Sequence, residues 1–236
     1  MLEKKVSEFL SNRASGAEEL AKQELEIISA MLSAGYDENK IRSFILAGSD
    51  KFSEMTPLQK IFNFFSENEI NIETLQGIKT KILNYDYIKN SEFLFKEDVG
   101  ILTFSNSSSV YNVINEYKEK VLQVYCCRSL PLGEGEICME NLRKAGIDSQ
   151  LIEDSEFSQY VKKVNFVLIG ADAVYEDFFI NKTGTFQIAY LSKYFKTPVY
   201  VVAAKSKFAD SNSFDESKIG KYFEKVERDL VTEILF

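Results

Sequence analysis

Val99-Gly100-Ile101-Leu102-Thr103-Phe104 is a short apolar run that stops at Ser105-Asn106-Ser107-Ser108-Ser109 and gives way to a helical pattern over residues 110–120. Val121-Leu122-Gln123-Val124-Tyr125-Cys126 is apolar again, and a Gly-containing loop leads to helical spacing over 136–145. The alternation continues. Gln150-Leu151-Ile152 reads as a brief strand, 156–164 as a helix, Asn165-Phe166-Val167-Leu168-Ile169-Gly170 as a buried strand, 184–195 as a helix and 198–204 as a strand. Tyr222-Phe223-Glu224 adds a short strand near the end. Strands that alternate with helices make βαβ units and hence a parallel sheet. Strands that are apolar throughout, not only at every second residue, belong where helices cover both faces of the sheet. The fold class is therefore α/β, with a parallel sheet between helical layers.

Upstream of this region the texture is helical. Ser15-Gly16 precedes a pattern in which Leu20, Leu25 and Ile28 share one face, with Glu18 and Glu19 in the first turn. Thr56-Pro57 opens a further helix to Phe65, since proline at the first helical position loses no hydrogen bond. Residues 70–87 continue at helical spacing through Ile70, Ile72, Leu75, Ile78 and Ile82. The division expected is a small all-helical N-terminal domain over residues 1–95 and an α/β domain over 96–236.

Composition narrows the function. Among 236 residues, 28 Lys and Arg face 36 Asp and Glu, for a net charge of -8. An acidic chain is a poor general binder of nucleic acid or of anionic membranes, because phosphate backbones require a basic face. Hydrophobic residues at 45% supply a substantial core, and no apolar stretch approaches the ~18 residues a membrane span needs. The three cysteines and the charged start Met1-Leu2-Glu3-Lys4-Lys5 point to a cytoplasmic chain. There is no histidine, which removes Ser-His-Asp and Cys-His chemistry and the usual zinc sites. No metal and no cofactor are expected. Proton transfer must rest on Asp, Glu, Lys, Cys or Tyr.

Ligands of open α/β sheets bind beyond the carboxyl ends of the strands. Three polar segments sit there. Ser105 to Ser109 offers hydroxyls and helix-opening N–H groups that suit a phosphate, or else an ordinary N-cap. Asp172, in Gly170-Ala171-Asp172, is placed as a general base with a raised pKa, or as a turn or cap residue. Asn181-Lys182-Thr183-Gly184-Thr185 offers a cation at a helix start, or a solvated lysine. Together the three suit a phosphorylated small molecule.

These residues resemble a known family. Val167 to Ala173, the run Ile180-Asn181-Lys182-Thr183-Gly184-Thr185, and Val201-Val202-Ala203-Ala204 with Lys207-Phe208 are similar to the initiation factor two-B alpha/beta/delta family, which includes ribose-1,5-bisphosphate isomerases and methylthioribose-1-phosphate isomerases. Pro131-Leu132-Gly133-Glu134-Gly135 and the strand ending at Ser105-Asn106-Ser107 fit the same pattern, over roughly residues 99–236. The resemblance implies a Rossmann-like domain, usually dimerising, after a helical one. It implies a phosphorylated sugar or nucleotide as ligand and a translation-factor protein as partner. For the isomerase branches it implies a catalytic pair, which falls here on Asp172 and Ser105, and substrate contacts at Arg13, Gly16, Ala17, Ser107, Ser108, Ser109, Arg128, Asn181, Lys182 and Lys207. The chain departs from the isomerase pattern at several positions, including the segment between Asp172 and Asn181, which lacks the usual glycine and is one residue short. Ser105 stands at the cysteine position, Phe104 at the histidine and Leu130 at the arginine before proline. A serine hydroxyl is a far weaker acid than a thiol, whose reference pKa is ~8.5. Two readings follow: a non-catalytic initiation-factor-like subunit that binds a phosphorylated ligand or a protein, which the missing cysteine favours, and a sugar-phosphate aldose-ketose isomerase using Asp172.

Overall fold

The computed structural model describes residues 2–12, 15–211 and 214–236. Helices α1 (Leu2–Ser11), α2 (Ala17–Ser33), α3 (Glu38–Lys51), α4 (Thr56–Glu67), α5 (Ile72–Ile82) and α6 (Asp86–Asn90) come first. Leu20, Leu25 and Ile28 of α2 pack with Ile41 and Ile45 of α3 and with Leu58, Ile61 and Phe65 of α4, so the expected apolar stripe is the centre of this layer. The helix expected over 70–87 is divided. Asn71 caps α5, its side chain accepting from Thr74 N–H while Thr74 Oγ1 accepts from Asn71 N–H, and the chain leaves helical geometry at Leu83 before α6. The Asn71–Thr74 pair marks where α5 begins, and the break itself falls at residues 83–85, where Asn84 Oδ1 accepts from Asp86 N–H at 2.9 Å.

The α/β layer then forms from β1 (Val99–Phe104), α7 (Ser108–Glu116), β2 (Val121–Cys127), α8 (Glu134–Lys144), β3 (Ser149–Ile152), α9 (Phe157–Tyr160), β4 (Phe166–Gly170), β5 (Ala173–Val174), β6 (Phe178–Lys182), α10 (Thr185–Phe195), β7 (Val199–Val202), β8 (Phe223–Glu227) and β9 (Glu233–Leu235). The main sheet is parallel throughout, in the order β3-β2-β1-β4-β7-β9. This is the Rossmann order, with its reversal point between β1 and β4. Alternate residues of one strand serve opposite cores. Ile101 joins Val110, Val113 and Leu142 under α7 and α8, whereas Leu102 joins Val161, Ile188 and Ala189 under α9 and α10. That two-sided burial is why the strands read as unbroken apolar runs.

Three elements differ from expectation. The helix foreseen over 156–164 is one turn, α9, between two 3-10 turns. Residues 173–182, to which the sequence pattern assigns no strand, form the hairpin β5–β6, which β8 extends into a second, antiparallel sheet. Phe223 at the start of β8 packs against both the helical core and the core of this small sheet, tying the two layers together. β9 adds a sixth strand beside β7. No helix among the described residues is long and apolar enough to cross a membrane.

Candidate functional site

The reversal of strand order opens a crevice at the carboxyl ends of β1 and β4, where Ser105-Asn106 and Asp172 emerge. The N-terminus of α2 comes down over it, and Ala17 N–H donates to Asp172 Oδ1 at 3.1 Å. β6 holds Asp172 from below through Asp172 N–H to Ile180 O at 2.8 Å and delivers Lys182 at its last position. Gly16, Ser105, Asn106, Glu134, Asp172, Lys182 and Tyr222 line a common cavity of about 50 Å³. That is room for a few waters, since one needs roughly 10–15 Å³ on this measure.

Each ionic group here has a partner within the protein. Lys182 Nζ lies 2.6 Å from Glu134 Oε1, both side chains about 95% buried at 4% and 6% exposure, and the Tyr222 ring covers the ammonium at 5.6 Å. Burial raises the Asp172 pKa above the usual carboxylate value, and the nearby Lys207 charge and the Ala17 N–H only partly offset it. Lys207, also buried, donates to Ser109 Oγ at 3.2 Å. Ser109 donates in turn to Glu18 Oε2 at 2.9 Å, and Tyr87 OH donates to the same carboxylate at 3.1 Å. Asn112 Nδ2 completes the chain by donating to Tyr87 OH at 3.0 Å. Glu18, on α2, thus joins the helical layer to α7 and to the loop after β7. The sequence shows Glu18 only as a first-turn acid. Its burial against Ser109 and Tyr87 depends on contacts 91 and 69 residues away, which no local pattern reports.

The residues singled out from sequence divide into three groups. Gly16, Ser105, Asp172 and Lys182 meet at the cavity. Ala17, Ser109 and Lys207 surround it but are committed to the contacts above. The others are elsewhere. Ser107 is the N-cap of α7, accepting from Val110 N–H, and its Oγ lies where a Cβ on Gly170 would intrude at 2.4 Å. Ser108 faces a separate cleft with Glu18, Glu19, Lys22 and Asn112. Asn181 Nδ2 donates to Thr185 Oγ1 at 3.0 Å, pinning the start of α10. Arg128 does not line the cavity. Cys127 ends β2 buried, the next residue turns outward, and Arg128 pairs with Glu153 at 2.7 Å and with Glu136, away from the cavity. Arg13 lies outside the described residues. Glu134, which stood in the sequence only as part of a loop motif, also lines the cavity, paired with Lys182.

Chemistry at the cavity is restricted by what surrounds Ser105. Its N–H donates to Ser129 Oγ at 2.7 Å and its φ is 67°, so the backbone is held in the left-handed region. The nearest thiol on the neighbouring strand, Cys127, is buried, which pushes its pKa up and keeps it protonated. Phe104 fills the space beside Gly184, where a Cβ would sit 2.7 Å from its ring and where φ is 108°, a conformation glycine adopts without strain.

This architecture has solved counterparts. The Pyrococcus horikoshii OT3 translation initiation factor eIF-2B superposes with a TM-score of 0.83 at 21% identity, covering 99% of this chain and 94% of that one. The ribose 1,5-bisphosphate isomerase of Archaeoglobus fulgidus is 35% identical over 124 residues, 51% of this chain and 40% of the isomerase. The Caenorhabditis elegans translation initiation factor eIF2B subunit alpha is 26% identical over 227 residues, 90% of this chain and 72% of that protein. The chain thus matches well under half the length of the isomerase. The initiation factor 2 subunit family model matches residues 58–227, from α4 through the last residue of β8, and so takes in the strand ends, Glu134, Asp172, Lys182 and Lys207. On that match the chain belongs to the initiation factor 2 subunit family.

Proposed function

We propose that the chain is a non-catalytic subunit of its family, acting by association with protein, a second copy of itself first, and not by turning over a sugar phosphate. The observation that carries this reading is the buried Lys182–Glu134 pair at 2.6 Å. A lysine that is to hold phosphate must offer its charge to the ligand. Here a carboxylate of the same chain already takes it. Ser105 supports the reading from the side of chemistry, for its hydroxyl is a far weaker acid than the thiol of the isomerase pattern and the chain has no histidine to activate it.

An interaction role also finds support on α10. Phe186, Tyr190 and Tyr194 lie four residues apart and stay exposed, Tyr194 to 74%, with Phe186 and Tyr190 stacked on one another at 6.0 Å. Exposed aromatics in a row are the anchors that protein interfaces use. Phe178 and Phe179 are consumed by the core, and Phe195 is partly buried against it. Sedimentation velocity at tens of micromolar tests the claim. The wild type should associate, and Tyr190→Lys with Tyr194→Lys should sediment as a folded monomer. A wild-type monomer at that concentration contradicts self-association.

The isomerase reading has one specific observation in its favour. Asp172, with its raised pKa, shares the cavity with Lys182 and Ser105, as a proton-transferring carboxylate would. Turnover that disappears in Asp172→Asn would establish it.

A further inference from the structure

Glu134 opens α8, and its neighbours leave it little freedom. Gly133 has φ 76°, and a Cβ on Gly135 would fall 1.7 Å from Cys127 O, so the turn that presents Glu134 is locked against β2. The side chain reaches across the cavity to Lys182 with Oε1, while its Oε2 is buried without a hydrogen-bond partner. A carboxylate so buried, with one oxygen unsatisfied, is costly to keep. It is held because Lys182 would otherwise be a buried cation with no counter-ion, covered by the Tyr222 ring.

We infer that Glu134 is a built-in anion that occupies the phosphate position at Lys182 and so sets the specificity of the cavity against phosphorylated ligands. The inference rests on the non-catalytic reading above and deepens it. An incoming phosphate would have to take the place of Glu134 Oε1 beside Nζ, against the repulsion of a second, buried negative charge. The same carboxylate acts on Asp172, helping to raise its pKa, so an added anion would meet two acids and not one. Removing the Glu134 charge while keeping its shape should convert the cavity into an anion site.

The test uses inorganic phosphate on the full chain, at constant ionic strength with chloride as the balancing anion. The wild type should leave the 31P line width and the melting temperature unchanged. Glu134→Gln should bind phosphate at least tenfold more tightly than wild type, and the gain should vanish in Glu134→Gln/Lys182→Gln, which also reports any general salt effect. If Glu134→Gln does not fold in chloride, phosphate should restore folded protein, because it supplies the missing counter-ion of Lys182. A folded Glu134→Gln that ignores phosphate, or an unfolded one that phosphate does not recover, overturns the inference. So does 31P broadening by the wild type that is lost in Lys182→Gln. The non-catalytic reading is tested separately, by whether the wild type turns over a sugar phosphate, so the inference can fail in a chain that still shows no turnover.

Discussion

Replacing Glu18 by Ala should destabilise the protein more than any exposed acidic substitution, because Glu18 is the acceptor on which the junction between the two layers converges. Its carboxylate receives Ser109 Oγ–H at 2.9 Å and Tyr87 OH at 3.1 Å, and Ser109 in turn receives Lys207 Nζ at 3.2 Å. Alanine leaves two buried hydroxyl donors without their acceptor and Lys207 in a more apolar setting. Hydrogen bonds to a charged group are worth about 1.5–3 kcal/mol each. They are not additive here, and breaking a buried charged network by removing one member costs about 3–5 kcal/mol. For a domain of this size, each kcal/mol corresponds to about 2–4 °C. Glu18→Ala should therefore lower Tm by roughly 6–20 °C and lower the urea midpoint with little change in m. Glu18→Gln keeps one carbonyl acceptor and should fall between. A cycle of Glu18→Ala with Ser109→Ala should show coupling of about 0.5–3 kcal/mol. A loss under about 1 kcal/mol, or strict additivity, would refute the idea that this network joins the layers.

The remaining predictions concern single sites. Asp172 has a folded pKa above its unfolded value, so the stability it contributes is complete below the unfolded value near 4 and is lost as pH rises through the folded one. Asp172→Asn should accordingly melt higher than wild type at pH 7, with the gap closing toward pH 4, and a gap that widens on acidification would contradict this. Glu24 is fully buried in the helical core with neither carboxylate oxygen hydrogen-bonded, and burial raises its pKa well above normal. Glu24→Met should stabilise the protein by about 1–3 kcal/mol in chemical denaturation, and a net loss would show a hidden partner. Gly135→Ala should be severely destabilising or insoluble on expression, since its Cβ would overlap Cys127 O at 1.7 Å, and near-wild-type melting would mean that the turn into α8 is not rigid.

The sheet was readable because its residues obey one local rule. Val99–Phe104 and Phe166–Gly170 are almost wholly apolar and buried, as strands covered on both faces require, β2 is so only toward its carboxyl end, and the intervening helices fix the parallel connection. The β5–β6 hairpin escaped notice because Ala173–Val174 is too short to show a period and Phe178–Lys182 reads equally well as the approach to α10. The candidate site was half legible. Asp172 could be placed just beyond a strand end and Lys182 at a helix start from sequence order alone. Their partners could not: Glu134 is 48 residues from Lys182 and Ala17 is 155 from Asp172, and sequence spacing carries no information on which charges fold against which. Ser107 and Asn181 show the opposite case, residue types that suit a phosphate but serve as an N-cap and a helix pin.

The central claim is that this cavity does no sugar-phosphate chemistry, and a direct assay on ribose 1,5-bisphosphate tests it. Wild type, Ser105→Cys and Asp172→Asn would each be incubated with millimolar substrate and followed for ketose formation by proton NMR. The account predicts no product from any of the three, including Ser105→Cys, because a restored thiol leaves Lys182 bound to Glu134. Product formed by the wild type and abolished in Asp172→Asn would contradict it and make Asp172 a catalytic residue.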